Sequence, residues 1–129
     1  MLNHPLRALP SIAITATLLF GCSGSDTIRY VKDGSLDDCP DVTLGQMADS
    51  YMDQPYWESF EADDGLDYVN LIGGVTYNGM PVEAIIQFRV YENTGRFEYY
   101  ALEVDGQSMN NYMAYSLLDE MCTEAYTMY

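Results

Sequence analysis

The chain is poor in positive charge and almost without histidine. Its 129 residues carry five Lys and Arg against 20 Asp and Glu, with one His, for a formal charge of −15. Contacts to a phosphate backbone need a basic surface, so nucleic acid is excluded as a partner. Docking onto anionic headgroups is disfavoured on the same ground. A long apolar run is missing too. Ile12 to Phe20 is too short to span a bilayer, which takes about 20 residues, and no transmembrane span follows residue 22. There is no internal repeat and no phosphate-cradling glycine loop. Ile72-Gly73-Gly74-Val75 lies inside a strand pattern and reads as a bulge or a close helix approach. No cofactor is expected.

What the N-terminus does have is an ordered set of signals. Arg7 gives a modest positive start, Ile12 to Phe20 an apolar segment, and Leu19-Phe20-Gly21-Cys22 a close with a small residue before cysteine. This resembles the lipobox of bacterial lipoproteins. The resemblance covers residues 1–22 and implies diacylglycerol on the Cys22 sulfur, cleavage ahead of Cys22, and acylation of the freed amine. Each buried CH₂ contributes ~0.8 kcal/mol, so two or three acyl chains hold firmly. Ser23, where an Asp would mean inner-membrane retention, implies the outer membrane, with the domain facing the periplasm or the cell exterior. Ser23-Gly24-Ser25 reads as a short flexible tether. The expected organisation is a signal peptide over 1–21, a lipidated cysteine, tether and N-terminal arm over 22–41, and a single α+β domain over 42–129.

Removal of residues 1–21 takes His4 with it. Histidine-dependent nucleophilic catalysis and the usual zinc sites go too. Arg29, Lys32, Arg89 and Arg96 then stand against all 20 acids, a side-chain charge of −16. Such a field suits solubility, high salt, cations or a basic protein partner. Cys39 and Cys122 remain, and an oxidising envelope makes an even pair one disulfide; two separate reduced thiols are the alternative.

Residues 26–41 are polar and turn-rich, with Thr27–Val31 as a short edge strand or extended arm. Thr43-x-x-Gln46 fits a capping box and Val42 with Met47 a hydrophobic staple, so a helix starts at Thr43 and stops at Pro55. Leu44, Met47, Ala48 and Tyr51 lie on one face of it. Tyr56, Trp57 and Phe60 form an aromatic lid segment. Asn78-Gly79 marks a hairpin. Centring the turn there sets Val75 opposite Val82, Gly73 opposite Ala84, Leu71 opposite Ile86 and Val69 opposite Phe88. The turn at Glu92–Gly95 brings back a third strand, pairing Val90 with Phe97, Phe88 with Tyr99, Ile86 with Ala101 and, on the other face, Arg89 with Glu98. Asp105-Gly106 ends the sheet. A last helix runs from about Met109 to Tyr126, with Ala114, Leu117, Leu118, Met121, Cys122 and Ala125 as its apolar stripe. The expected fold is α+β, a three-stranded antiparallel meander with a helix before and a helix after, packed on one sheet face.

That register lines up Ile72, Ile85 and Leu102 on the outer sheet face, with Tyr68, Tyr91 and Tyr100 beside them. An exposed apolar row with tyrosines fits a protein partner; the competing reading has the 26–41 arm or the Trp57 segment cover it. Glu61, Asp63, Asp64 and Asp67 crowd one loop, but their spacing does not follow a calcium loop, and they read as a solvated turn, not a metal site. The expected function is a lipid-anchored, non-catalytic protein-binding or scaffold module of the envelope. An inhibitor of a cationic enzyme such as a lysozyme is the alternative, and a carboxylate-based hydrolase a more distant one.

Overall fold

A computed structural model describes residues 23–129. Its elements are α1 (Ser23–Lys32), α2 (Leu44–Tyr51), β1 (Asp53–Glu61), β2 (Asp67–Tyr77), β3 (Met80–Tyr91), β4 (Arg96–Val104), β5 (Gln107–Ser108) and α3 (Asn111–Met128). The strands form one antiparallel sheet in the order β1-β2-β3-β4-β5. The α+β class and the helices before and after the sheet are as expected, but the sheet has five strands, not three. No helix among the described residues is long and apolar enough to cross a membrane.

The β2–β3 hairpin keeps the expected register at every pair from Val69–Phe88 to Val75–Val82. The reason is local. Asn78 and Gly79 both adopt positive φ, 54° and 79°, the geometry of a two-residue turn whose twist matches the flanking strands. The β3–β4 hairpin starts as expected, with Val90 opposite Phe97 and Phe88 opposite Tyr99, and then slips. Gln87 pairs with Ala101, so Tyr100 is an extra residue, a β-bulge. Beyond it Ile86 faces Leu102, not Ala101, and Ile85 faces Glu103, not Leu102. An unbulged strand would turn Glu103 into the core opposite Ala84 and Leu102 outward. The bulge instead puts Leu102 and Val104 into the core, both buried.

Two strands lie where none was expected. The segment with Tyr56, Trp57 and Phe60 is β1, at the sheet edge, where a proline is tolerated at residue 55. Asp105-Gly106 does not end the sheet. Both residues have positive φ, and they fold the chain back into the two-residue β5.

Thr27–Val31 is helical, not a strand or arm, and Ser23-Gly24-Ser25 forms the first turn of α1, not a tether. Thr27 and Val31, four residues apart, are both buried, so the packed face decides the conformation over β-branched propensity. Just after α1, Gly34 accepts the Phe97 ring so closely that a Cβ would lie 2.6 Å from it. α2 carries the expected capping box: Thr43 Oγ1 accepts from Gln46 N–H at 3.0 Å, and Gln46 Oε1 from Thr43 N–H at 2.9 Å. Asn110 caps α3 by accepting from Met113 N–H. Of the expected α3 stripe, Ala114, Leu118, Met121 and Ala125 are buried, with Leu117 and Cys122 partly so.

One core lies between the sheet and all three helices. It joins Val31, Leu44, Met47, Ala48 and Met121 to Val69, Leu71, Ile86, Phe88 and Leu102. Cys39 and Cys122 stand at disulfide distance, with sulfurs 2.09 Å and Cα atoms 6.1 Å apart, and tie the loop after α1 to α3.

Candidate functional site

Three surfaces could carry a function: the sheet face away from the helices and the two sheet edges.

The outer face is not the exposed apolar row the register implied. Leu102 lies on the opposite face, in the core. Ile72 and Ile85 do face each other across β2 and β3, but both are buried, at 2% and 3% exposure. Beside them Gln87 donates to Asn70 Oδ1 at 3.0 Å, a buried bond between paired residues. The described helices all pack on the other face, and residues 1–22, Cys22 among them, lie outside the described residues.

Tyr68 and Tyr100 form an aromatic grip on Arg89. The guanidinium carbon lies 5.6 Å from the Tyr68 ring centroid and 4.2 Å from that of Tyr100. Arg89 also donates to the hydroxyls of Tyr68 and Tyr91. Phe60 stacks on Tyr68 at 5.4 Å, and Tyr91 donates to Glu98 at 2.7 Å. Burial, with the Asp64 bond, pushes the Tyr68 hydroxyl up to about 12. The chain's own Arg89 fills this cage; Tyr100 alone of the expected binding residues is exposed, at 45%.

The acidic loop is similarly accounted for. Asp64 accepts from Leu66 N–H and from the Tyr68 hydroxyl, which lowers its pKa, and it closes the β1–β2 turn. Asp67 pairs with Glu61 and shares a hydrogen bond with Glu92; burial first, then that neighbour, raises it to about 7. Among the described residues no group of acids is placed to hold a metal ion. Asp67 and Glu92 line neither of the two clefts described next.

The β4 edge is different. β5 reaches only Glu103 and Val104, and Met109 N–H covers the Leu102 carbonyl. Arg96–Ala101 pairs with β3 alone, and among the described residues no strand lies along its other side. Every second residue of such a strand directs its N–H and C=O outward. Against this open stretch lies a cleft of about 730 Å³, bounded by β4, the Ser35–Cys39 loop and α3. Tyr99 and Tyr115 meet edge to face at 5.8 Å, with Tyr112 strongly exposed nearby. Burial, then Tyr115, raises the Tyr99 hydroxyl to about 12, so it stays a proton donor at neutral pH. Asp37, Asp38, Glu98 and Asp119 line the cleft against one cation, Arg96. A second cleft of about 480 Å³ lies between α2, the start of β1 and the β2–β3 hairpin.

Of this edge, sequence reasoning placed only Tyr100 in a binding surface, and there as part of the outer face. An open edge depends on where the neighbouring strand stops, and β5 was not expected at all. Asp105-Gly106 followed by a polar pair was the one available signal. Comparison with protein-family models, curated proteins and solved structures yields no match.

Proposed function

We propose that the chain is a lipid-anchored bacterial envelope protein, held in the outer membrane through Cys22, whose domain is a non-catalytic protein-binding module. The single observation that carries the binding role is the open Arg96–Ala101 edge with a cleft along its Arg96–Tyr99 part. Strand addition gives affinity through main-chain bonds, while a flanking cleft gives selectivity. This moves the binding surface from the outer face to the edge. The membrane part rests on Leu19-Phe20-Gly21-Cys22. In this reading the anchor adjoins α1 directly, and the Gly24 carbonyl accepts from Ser59 of β1 at 3.1 Å. The domain is then held close to the bilayer, without a slack tether.

The inhibitor reading draws support from the same acid-lined cleft and shares its surface. The two separate by the partner captured: the inhibitor reading requires a soluble basic enzyme, and the module reading a partner that belongs to the envelope. Site-specific photocrosslinking in the native envelope tests the module. A photoreactive residue at Tyr112, on the cleft, is expected to give a discrete adduct, and one at Tyr56, on β1, none. Absence of any adduct from both Tyr112 and Glu98 would sink the reading.

A further inference from the structure

The module reading leaves open what lies along β4, and the surroundings of that edge narrow it. Any strand added beside Arg96–Ala101 enters between two walls. One is the Ser35–Cys39 loop with Asp37 and Asp38; the other is α3 with Tyr115 and Asp119. Residues of an extended segment alternate sides. Every second side chain is therefore directed to the helix side of the sheet, where Tyr99 and Tyr115 stand. A tyrosine pair meeting edge to face, with carboxylates around it, suits a cation: ring faces attract it and carboxylates pair with it. An anionic segment would meet four carboxylates and one arginine.

Resting on the module reading above, we infer that the cleft takes an extended segment of a partner protein that adds to the Arg96–Ala101 edge and sets a Lys or Arg between Tyr99, Tyr115 and Asp119. The domain's charge favours the encounter as well, because an acidic body draws a basic segment toward it. The disulfide serves this site, since Cys39 and Cys122 both line the cleft and fix the loop wall to the helix wall. The segment therefore meets a preformed slot, which lowers the ordering cost of binding.

The test uses the full chain in detergent and two synthetic nine-residue peptides, one alternating Val with Lys and the other Val with Glu. Binding is followed by fluorescence anisotropy, and backbone amide exchange is read over β4 and β1. The Lys peptide is expected to bind at least about tenfold more tightly at 0.05 M salt and to slow exchange in Arg96–Ala101 but not in β1. Asp119→Asn and Tyr115→Ala change exposed side chains on α3, and each is expected to weaken the Lys peptide by about three- to tenfold. Equal binding of the two peptides, no binding of the Lys peptide, or protection confined to β1 would each overturn the inference. A crosslinked partner segment at Tyr112 that lacks Lys and Arg would overturn it too, while leaving the module reading standing.

Discussion

The two edges of this sheet are built on opposite plans. β1 is guarded. Pro55 withholds a donor, Gln54 takes a left-handed conformation with φ of 50°, and the register shifts between Asp53 and Tyr56. α1 lies against the strand through the Gly24–Ser59 bond. These are common ways of keeping a sheet edge from pairing with another chain. β4 has no proline, and its partner β5 stops after two residues. Its bulge at Tyr100 twists the strand, but Arg96–Tyr99 ahead of it runs in unbroken register with Tyr91–Phe88. A chain that protects one edge by several means and leaves the other beside a cleft treats its two edges differently, as the proposed strand addition requires.

The largest expected effect is loss of the Cys39–Cys122 link. It closes a loop of 83 residues, and replacing both cysteines with alanine is expected to cost roughly 4–5 kcal/mol in the chain-entropy model. Thermal unfolding with and without reductant measures it. The comparison of edges adds a sharper expectation. Because the link joins the two walls of the β4 cleft, amide exchange should rise most in the Ser35–Cys39 loop and in Arg96–Ala101, and least in β1. Equal loosening of both edges would show that the disulfide steadies the whole domain and not the slot.

A second test concerns the bulge that sets how β4 is presented. Leu102 is buried in the core, whereas Tyr100 lies over Arg89 with its ring exposed. Leu102→Ala is expected to cost about 2–5 kcal/mol and Tyr100→Ala below about 1 kcal/mol, read by denaturant unfolding. The reverse ranking would restore the unbulged register and turn Glu103 into the core.

That register also shows where sequence stops being legible. The β2–β3 pairing could be read residue by residue because Asn78-Gly79 dictates its own backbone geometry. The β3–β4 pairing could be read only to Tyr99. From there the choice between Leu102 and Glu103 for the core belongs to tertiary packing. The trace it leaves is a change of parity: Phe97 and Tyr99 point inward, then Leu102 and Val104 do. Thr27–Val31 misled through β-branched propensity, which burial against the sheet overrode. β1 was hidden because Pro55 reads as a stop, although an edge strand accepts it. The candidate site was illegible for a deeper reason. Asp38, Tyr99 and the Tyr115–Asp119 pair, four residues apart on α3, come from three distant stretches of sequence; only the meeting of loop, strand and helix brings them together.

The smallest expected effect lies on the guarded side and depends on pH. Asp67 faces Glu61 of β1 and shares a hydrogen bond with Glu92, and burial with these neighbours raises it to about 7. Its unfolded value is near 4, so between about pH 4 and 7 the folded chain holds a proton that the unfolded chain has released. That proton stabilises the fold at low pH, and its contribution is lost as pH rises through 7. Because the carboxyl is only partly buried, solvent screening reduces the effect to about 1 kcal/mol. Asp67→Asn keeps a hydrogen-bonding group without charge. It should stabilise the domain by about 1 kcal/mol at pH 8 and change it little at pH 4, measured by urea unfolding at both values. Exchange in β1 should fall with that gain, while Arg96–Ala101, on the other edge, stays as it was. An unchanged difference in stability between pH 4 and pH 8 in the variant would remove Asp67 as its source and place the repulsion elsewhere among the acids.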